Sequence, residues 1–206
     1  RQRERGPDPS RALRAPASPR FVEVFVFGAL YAADGTPRDM LEAVAREFSP
    51  RIEVCSAREI TLDLTGLERL FGNVRTIADE LRRTAADRGL RVRVVIAATR
   101  SAARLLVRYR AGIAVIAPGA EAAVLAPLPL PLLGTLGEIP HPDVHIPNPG
   151  AEAEASPEPP ILVTLRRWGL RTLGELAALD ASQVAARLGP EGVAWQRMAR
   201  GEDARP

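Results

Sequence analysis

The residues of this chain that could do chemistry are its arginines. Arg100, Arg104 and Arg108 recur every four residues, Arg91 and Arg93 alternate, and Arg166, Arg167 and Arg171 surround Gly169. A four-residue repeat lines one face of a helix, and a two-residue repeat lines one face of a strand. The planar guanidinium fork suits phosphate better than an ammonium does. Each set could therefore form a phosphate-binding stripe; each taken alone is also what a solvated face looks like. Around Gly169 a second device is available. Backbone N–H groups at a tight glycine turn and at the next helix N-terminus bind phosphate without reading sequence. Thr172 with Glu175 makes a capping box for that next helix. A plain corner between helices, closed by a glycine, explains Gly169 equally well.

Other chemistry-bearing residues carry less. His141, Asp143 and His145 lie close together in a Pro-rich stretch without cysteine partners, a chance cluster rather than a metal site. Cys55 is the one cysteine, so no internal disulfide forms, which fits a reducing cytoplasm. It alternates with apolar neighbours as a buried small hydrophobe would, and Trp168 and Trp195 sit where helices would bury them. All 28 basic residues in the Lys+Arg count are arginine. A GC-rich coding sequence accounts for most of that bias, so position decides more than number. The net charge of +3 says little by itself. No apolar run approaches the roughly 18 residues that span a bilayer, so a membrane is not an expected partner.

The elements that must position these side chains follow from pattern. Residues 1–19 are rich in Arg and Pro without apolar period and read as a disordered basic tail. FVEVFVF (21–27) reads as a strand, and Thr36-Pro37-Arg38-Asp39 opens a helix running to about Phe48, with Thr36 as its cap. RIEVC (51–55) and EITLDL (59–64) are close enough to form a hairpin. Asn73 can cap a long helix ending before Gly89, RVRVVIA (91–97) is a strand, Thr99 to Tyr109 a helix, and GIAVI (112–116) a last strand. The order β-α-β-β-α-β is the ferredoxin-like split unit, with two helices on one face of an antiparallel sheet. The trailing helix and strand add to its edge. The expected fold class is thus α+β: a palm-like domain over 20–120, a Pro/Gly-rich linker or insertion over 121–160, and a small all-α domain over 161–206, its helices punctuated by Gly169, Asp180 and Gly189.

Two stretches carry a resemblance. SAREITLDLTGLERLFG (56–72) resembles the strand-turn-strand signature of Y-family DNA polymerases, which bypass damaged template bases. LRRWGLRTLGELAALDASQVAARLG, with ARGEDARP after it, resembles the thumb of that family, and the match is best with its ImuB-type, catalytically degenerate branch. The resemblance covers about residues 20–206 and agrees with the split unit, because the family's palm has that fold.

In the family about two Mg2+ ions sit between three carboxylates, activating the primer's terminal hydroxyl and neutralising the leaving pyrophosphate. The resemblance puts the first acid at Glu23 and the Asp-Glu pair at Arg58 and Glu59. Arginine at the central position removes a ligand and sets a positive charge where the ions would lie. Only Gly28 to Gly35 separate the expected strand and helix, too few residues for the fingers, and a little finger is not expected within these residues. The lysine that contacts the incoming triphosphate falls at Arg100, beside Thr99, which could equally be a helix cap. The doubly glycine hairpin of the thumb is matched most nearly by Gly134-Thr135-Leu136-Gly137.

The resemblance thus implies a DNA-binding, non-catalytic polymerase homologue in damage tolerance, contacting DNA through Arg104, Arg108, Arg166, Arg167, Gly169 and Arg171. No metal or other cofactor is expected, Mg2+ entering only with residual activity. The expected partners are a primer-template bound without regard to sequence and, for the intact protein, a separate catalytic polymerase and the sliding clamp, near the nucleoid. Two other readings stand beside it. One is an active error-prone polymerase fragment using Glu23 and Glu59. The other is a ferredoxin-like RNA-binding module, which would stack bases on aromatics that ITLDL and VRVVIA do not carry.

Overall fold

The structure, a computed structural model, describes residues 25–136 and 159–203. The expected basic tail, Glu23, Gly137, the His141–His145 cluster and the acidic stretch near residue 152 all lie outside the described residues. Five strands form one sheet: β1 (Phe27–Ala32), β2 (Ile52–Ser56), β3 (Glu59–Asp63), β4 (Val92–Ala97) and β5 (Ile113–Val115), in the order β2-β3-β1-β4-β5. The first four pair antiparallel, and β5 joins β4 in parallel at the edge. This is the ferredoxin-like arrangement with the expected added strand.

The central strand differs from its expected bounds. FVEVFVF alternates visibly, but the strand in the sheet is FGALYA, beginning at Phe27. It lies in the middle of the sheet with both faces covered, so it needs small and apolar residues rather than alternation. Ala29 is fully buried on one face and Leu30 on the other. Residues 33–37 alone then join β1 to α1 (Arg38–Phe48), so a fingers insertion is absent from that connection. Thr36 does not cap α1; Pro37 occupies the cap position in extended conformation and gives no side-chain bond.

On one face, α1 and α3 (Val74–Asp87) bury Leu41, Val44, Ile77 and Leu81 against Leu30, Ile60, Leu62, Val94 and Ile96. Between β3 and α3 the chain makes a single turn, α2 (Glu68–Phe71). Asn73 caps α3 as its position suggested, its side chain accepting the Thr76 N–H at 2.9 Å. The other face is covered by α4 (Arg100–Tyr109), whose start is capped by Thr99, and beyond it by the C-terminal helices. Those helices are α6 (Pro160–Arg167), α7 (Leu173–Ala178) and α8 (Ala181–Ala199), the last broken at Gly189-Pro190. Leu165, Leu173, Leu176 and Trp195 belong to the same core as Leu105 and Leu106 of α4.

Residues 121–136, expected to be a linker or an insertion, are folded rather than a linker. They form α5 (Glu121–Leu125) and a 3-10 turn (Leu130–Leu136), and they bury Leu125, Leu128, Leu130, Leu133 and Leu136. The prolines that suggested a loop sit between leucines that anchor it. Residues 128–130 also pair with the approach to α7: Leu130 N–H donates to the Arg171 carbonyl and Leu173 N–H to that of Leu128. Gly174 N–H reaches the Ala126 carbonyl at 2.9 Å, and a Cβ on Gly174 would lie 2.9 Å from the Ala126 Cβ and 3.0 Å from its carbonyl oxygen. Alanine is the better helix former by about 1 kcal/mol, but backbone cannot yield as a flexible side chain does. Gly174→Ala is therefore expected to cost about 1–2 kcal/mol net, read as a lower midpoint in chemical denaturation; an unchanged or raised midpoint would show that α5 and α7 can part freely.

Candidate functional site

Period two along the strands aligns three side chains beneath α4. Tyr31 of β1 stands opposite Glu59 of β3 on one side and opposite Arg93 of β4 on the other. Glu59 is fully buried. Such a carboxylate persists in an apolar interior only if charge and hydrogen bonds compensate it. The four-residue spacing on α4 supplies both. Arg104 Nε donates to Glu59 Oε1 at 2.6 Å, and Arg108 donates to Oε2 through Nε and pairs with it through Nη2. The same two guanidiniums tie down the 3-10 turn: Arg104 Nη2 reaches the Leu136 carbonyl at 3.0 Å, and Arg108 Nη1 the Thr135 carbonyl. Burial works against the charge on Arg104, but Glu59 above all outweighs it and raises the guanidinium above its ordinary value.

Beside this pair the Tyr31 ring is ringed by cations. The guanidinium carbons of Arg58, Arg93 and Arg108 lie 4.9, 5.7 and 6.0 Å from its centroid, within cation–π range. Arg58 is held by the Ala32 carbonyl at 3.0 Å and by an ion pair with Asp34. Arg93 donates to the Arg108 carbonyl at 3.0 Å. Nearby Cys55 is half-buried against Thr61, its thiol pushed up by burial.

These residues do not fit a pair of divalent cations. Mg2+ needs open oxygen ligands in near-octahedral geometry, whereas both Glu59 oxygens are committed to arginine. Across from them stand the Tyr31 ring and the Arg58 guanidinium. Among the described residues no three His, Cys, Asp or Glu side chains gather so as to hold a metal ion. Glu23 lies outside those residues.

The expected arginine stripe on α4 needs correction. Arg104 and Arg108 keep only 18% and 15% of their side-chain surface, because their spacing points them at Glu59 rather than at solvent. Arg100 is more open and pairs with Glu53. The N-terminus of α4, an anion site in principle, is filled by the chain itself: the Asp203 carboxylate accepts the N–H groups of Arg100 at 2.9 Å and Ser101 at 2.8 Å. Tyr31 and Asp203 were not singled out by sequence; Asp203 acts across a separation of 103 residues.

The C-terminal candidates remain at the surface. Arg166 and Arg167 end α6, whose cap is Trp168, and Gly169 follows at φ 85°, the left-handed turn that favours glycine. The capping box forms as its residues suggested, Thr172 accepting the Glu175 N–H while the Glu175 carboxylate accepts those of Arg171 and Thr172. Those two N–H bonds, Arg171's first, hold the Glu175 carboxyl below its ordinary value. Arg166 and Arg171 line a cleft of about 390 Å3 with Leu130, Pro131 and Leu170. Trp168, expected in the core, is 39% exposed; its ring carries Arg187 at 5.7 Å instead, whereas Trp195 is buried as expected.

The sheet order, with helices on both faces, matches the palm fold of Y-family DNA polymerases. The fold matches an insertion ternary complex of Dbh DNA polymerase with a TM-score of 0.57 at 17% identity, over 82% of this chain and 45% of that one. It matches a DinB family error-prone DNA polymerase from Sulfolobus solfataricus with a TM-score of 0.56 at 16% identity, over 82% and 47%. Residues 34–108 match the family described as impB/mucB/samB, and that stretch is a Y-family domain. Two curated relatives are a DNA polymerase IV of Dehalococcoides mccartyi, 30% identical over 79% of this chain and 37% of its own, and Protein ImuB of Caulobacter vibrioides, 31% identical over 78% and 31%. The chain thus spans about a third of the length of these relatives. Among the described residues no helix is long and apolar enough to cross a membrane.

Proposed function

We propose that this chain is a non-catalytic, DNA-binding Y-family module acting in lesion bypass. One observation carries the reading. The acid at the end of the SARE segment, Glu59, is sealed between Arg104 and Arg108, and the position before it is a cation, Arg58. Metal-assisted phosphoryl transfer needs open carboxylates there. DNA contact is supported by the exposed arginines about Gly169, which offer phosphate-binding side chains beside a glycine turn. A domain that holds DNA without copying it has positional value, because tethering raises a second enzyme's effective concentration to about millimolar for a short linker. The intact protein accordingly works with a separate catalytic polymerase and the sliding clamp, close to the nucleoid. The test is primer extension by the chain with Mg2+ and with Mn2+, on intact and abasic templates. No extension above the protein-free background is expected; extension with either metal overturns the non-catalytic reading.

A further inference from the structure

A second opening lies on the sheet, away from the cleft beside Gly169. It encloses about 160 Å3 and is lined by Tyr31, Arg58, Arg91 and Arg93, with Ala32 and Ala33 in its wall. Its charge is unbalanced. Glu59 is already matched by Arg104 and Arg108. That leaves Asp34 against Arg58, Arg91 and Arg93, and the Asp34 side chain is 88% exposed, so solvent and other anions compete for its partner. Arg93 gives one nitrogen to the Arg108 carbonyl. Arg91 is exposed and its side chain makes no ion pair or hydrogen bond with any described residue. Like charges gathered around one cleft repel, and an anion relieves them. The size selects the anion: pockets that enclose a drug-sized molecule run from about 300 to 1,000 Å3, so this one takes a single phosphoryl group and leaves the rest of the molecule outside.

We infer that this cleft is a metal-independent phosphate site, in which the guanidiniums of Arg58, Arg91 and Arg93 take the place that divalent cations hold in a phosphoryl-transfer site. Bidentate guanidinium donors hold phosphate without a metal. The phosphate comes from a nucleoside triphosphate or from a nucleic-acid strand, and competition separates the two. The inference does not depend on duplex binding near Gly169, since the residues are different.

The test is calorimetric titration of the chain with tripolyphosphate in EDTA. Binding is expected, and Arg91→Glu weakens it by at least about tenfold, the size of one charge-assisted hydrogen bond, with an unchanged thermal melt. Arg91→Lys retains most of the affinity. Arg75→Glu, the same charge change on α3 where Arg75 pairs with Asp79, leaves the affinity within about twofold, as expected where screening is strong. Displacement by a deoxynucleoside triphosphate alone assigns the cleft to nucleotides, and displacement by a single-stranded oligonucleotide assigns it to strand phosphates. Absence of binding, a requirement for Mg2+, displacement by neither competitor, or an equal loss in Arg75→Glu overturns the inference.

Discussion

Replacing Glu59 by alanine is expected to destabilise the protein by about 3 kcal/mol, the low end of the range for breaking a buried ion pair. The carboxylate is wholly buried, and its removal leaves two guanidiniums facing each other with nothing between them. Their side chains keep 18% and 15% of their surface, which lets water take up part of the loss. Coulomb repulsion between the abandoned arginines then disturbs their bonds to the Thr135 and Leu136 carbonyls, through which the 3-10 turn is held to α4. For a chain of this size the melting temperature should fall by roughly 6–12 °C. The exposed pair Arg58–Asp34 gives the contrast: Asp34→Ala should cost no more than about 0.5 kcal/mol, and less in high salt. A third variant, Glu59→Ala with Arg104→Met and Arg108→Leu, replaces the whole ionic group by apolar volume and should recover much of the loss. A Glu59→Ala loss below about 1 kcal/mol would mean that solvent already screens the cluster, and would remove the energetic reason for reading Glu59 as structural.

That cluster also shows where sequence stops informing. Glu59 was identified by its motif, and Arg104 and Arg108 were placed on one helical face by their spacing. Spacing states that side chains share a face, not whether the face looks outward; that depends on how α4 crosses the sheet, which is set by Ala102 and Ala103 packing on Ala29 and Val95. Short-range signals survived best. Asn73, Thr99, the Thr172–Glu175 box and the β2–β3 hairpin act within a few residues, so nothing distant overrides them. The central strand was displaced because FGALYA is buried on both faces and lacks alternation, whereas the residues before it alternate conspicuously. Gly28 shows the reason in one position: a Cβ there would stand 2.8 Å from Leu64 Cδ1. The leucines of 125–136 were hidden by their prolines, and Asp203 by distance along the chain.

With Arg104 and Arg108 turned inward, the candidates for DNA contact near Gly169 are the exposed arginines of the α6–α7 corner, and this fixes how binding should depend on salt. If Arg166, Arg167 and Arg171 each neutralise one phosphate, log K should fall with log salt at a slope of roughly −2.7 on duplex DNA. Raising salt fourfold, from about 50 to about 200 mM, then weakens binding about 40-fold. Arg167→Ala with Arg171→Ala removes two of the three contacts and should flatten the slope by about 1.8. The pair is chosen because the fold does not use these guanidiniums in any bond found among the described residues. The capping box draws only on the Arg171 backbone N–H, so α7 keeps its start in the variant. Binding should weaken alike on every duplex sequence, because phosphate contacts carry no base information. Fluorescence anisotropy across a salt series measures both slopes. An unchanged slope in the double variant would place the DNA elsewhere on the surface, and a loss confined to particular sequences would show base contact where only phosphate contact is proposed.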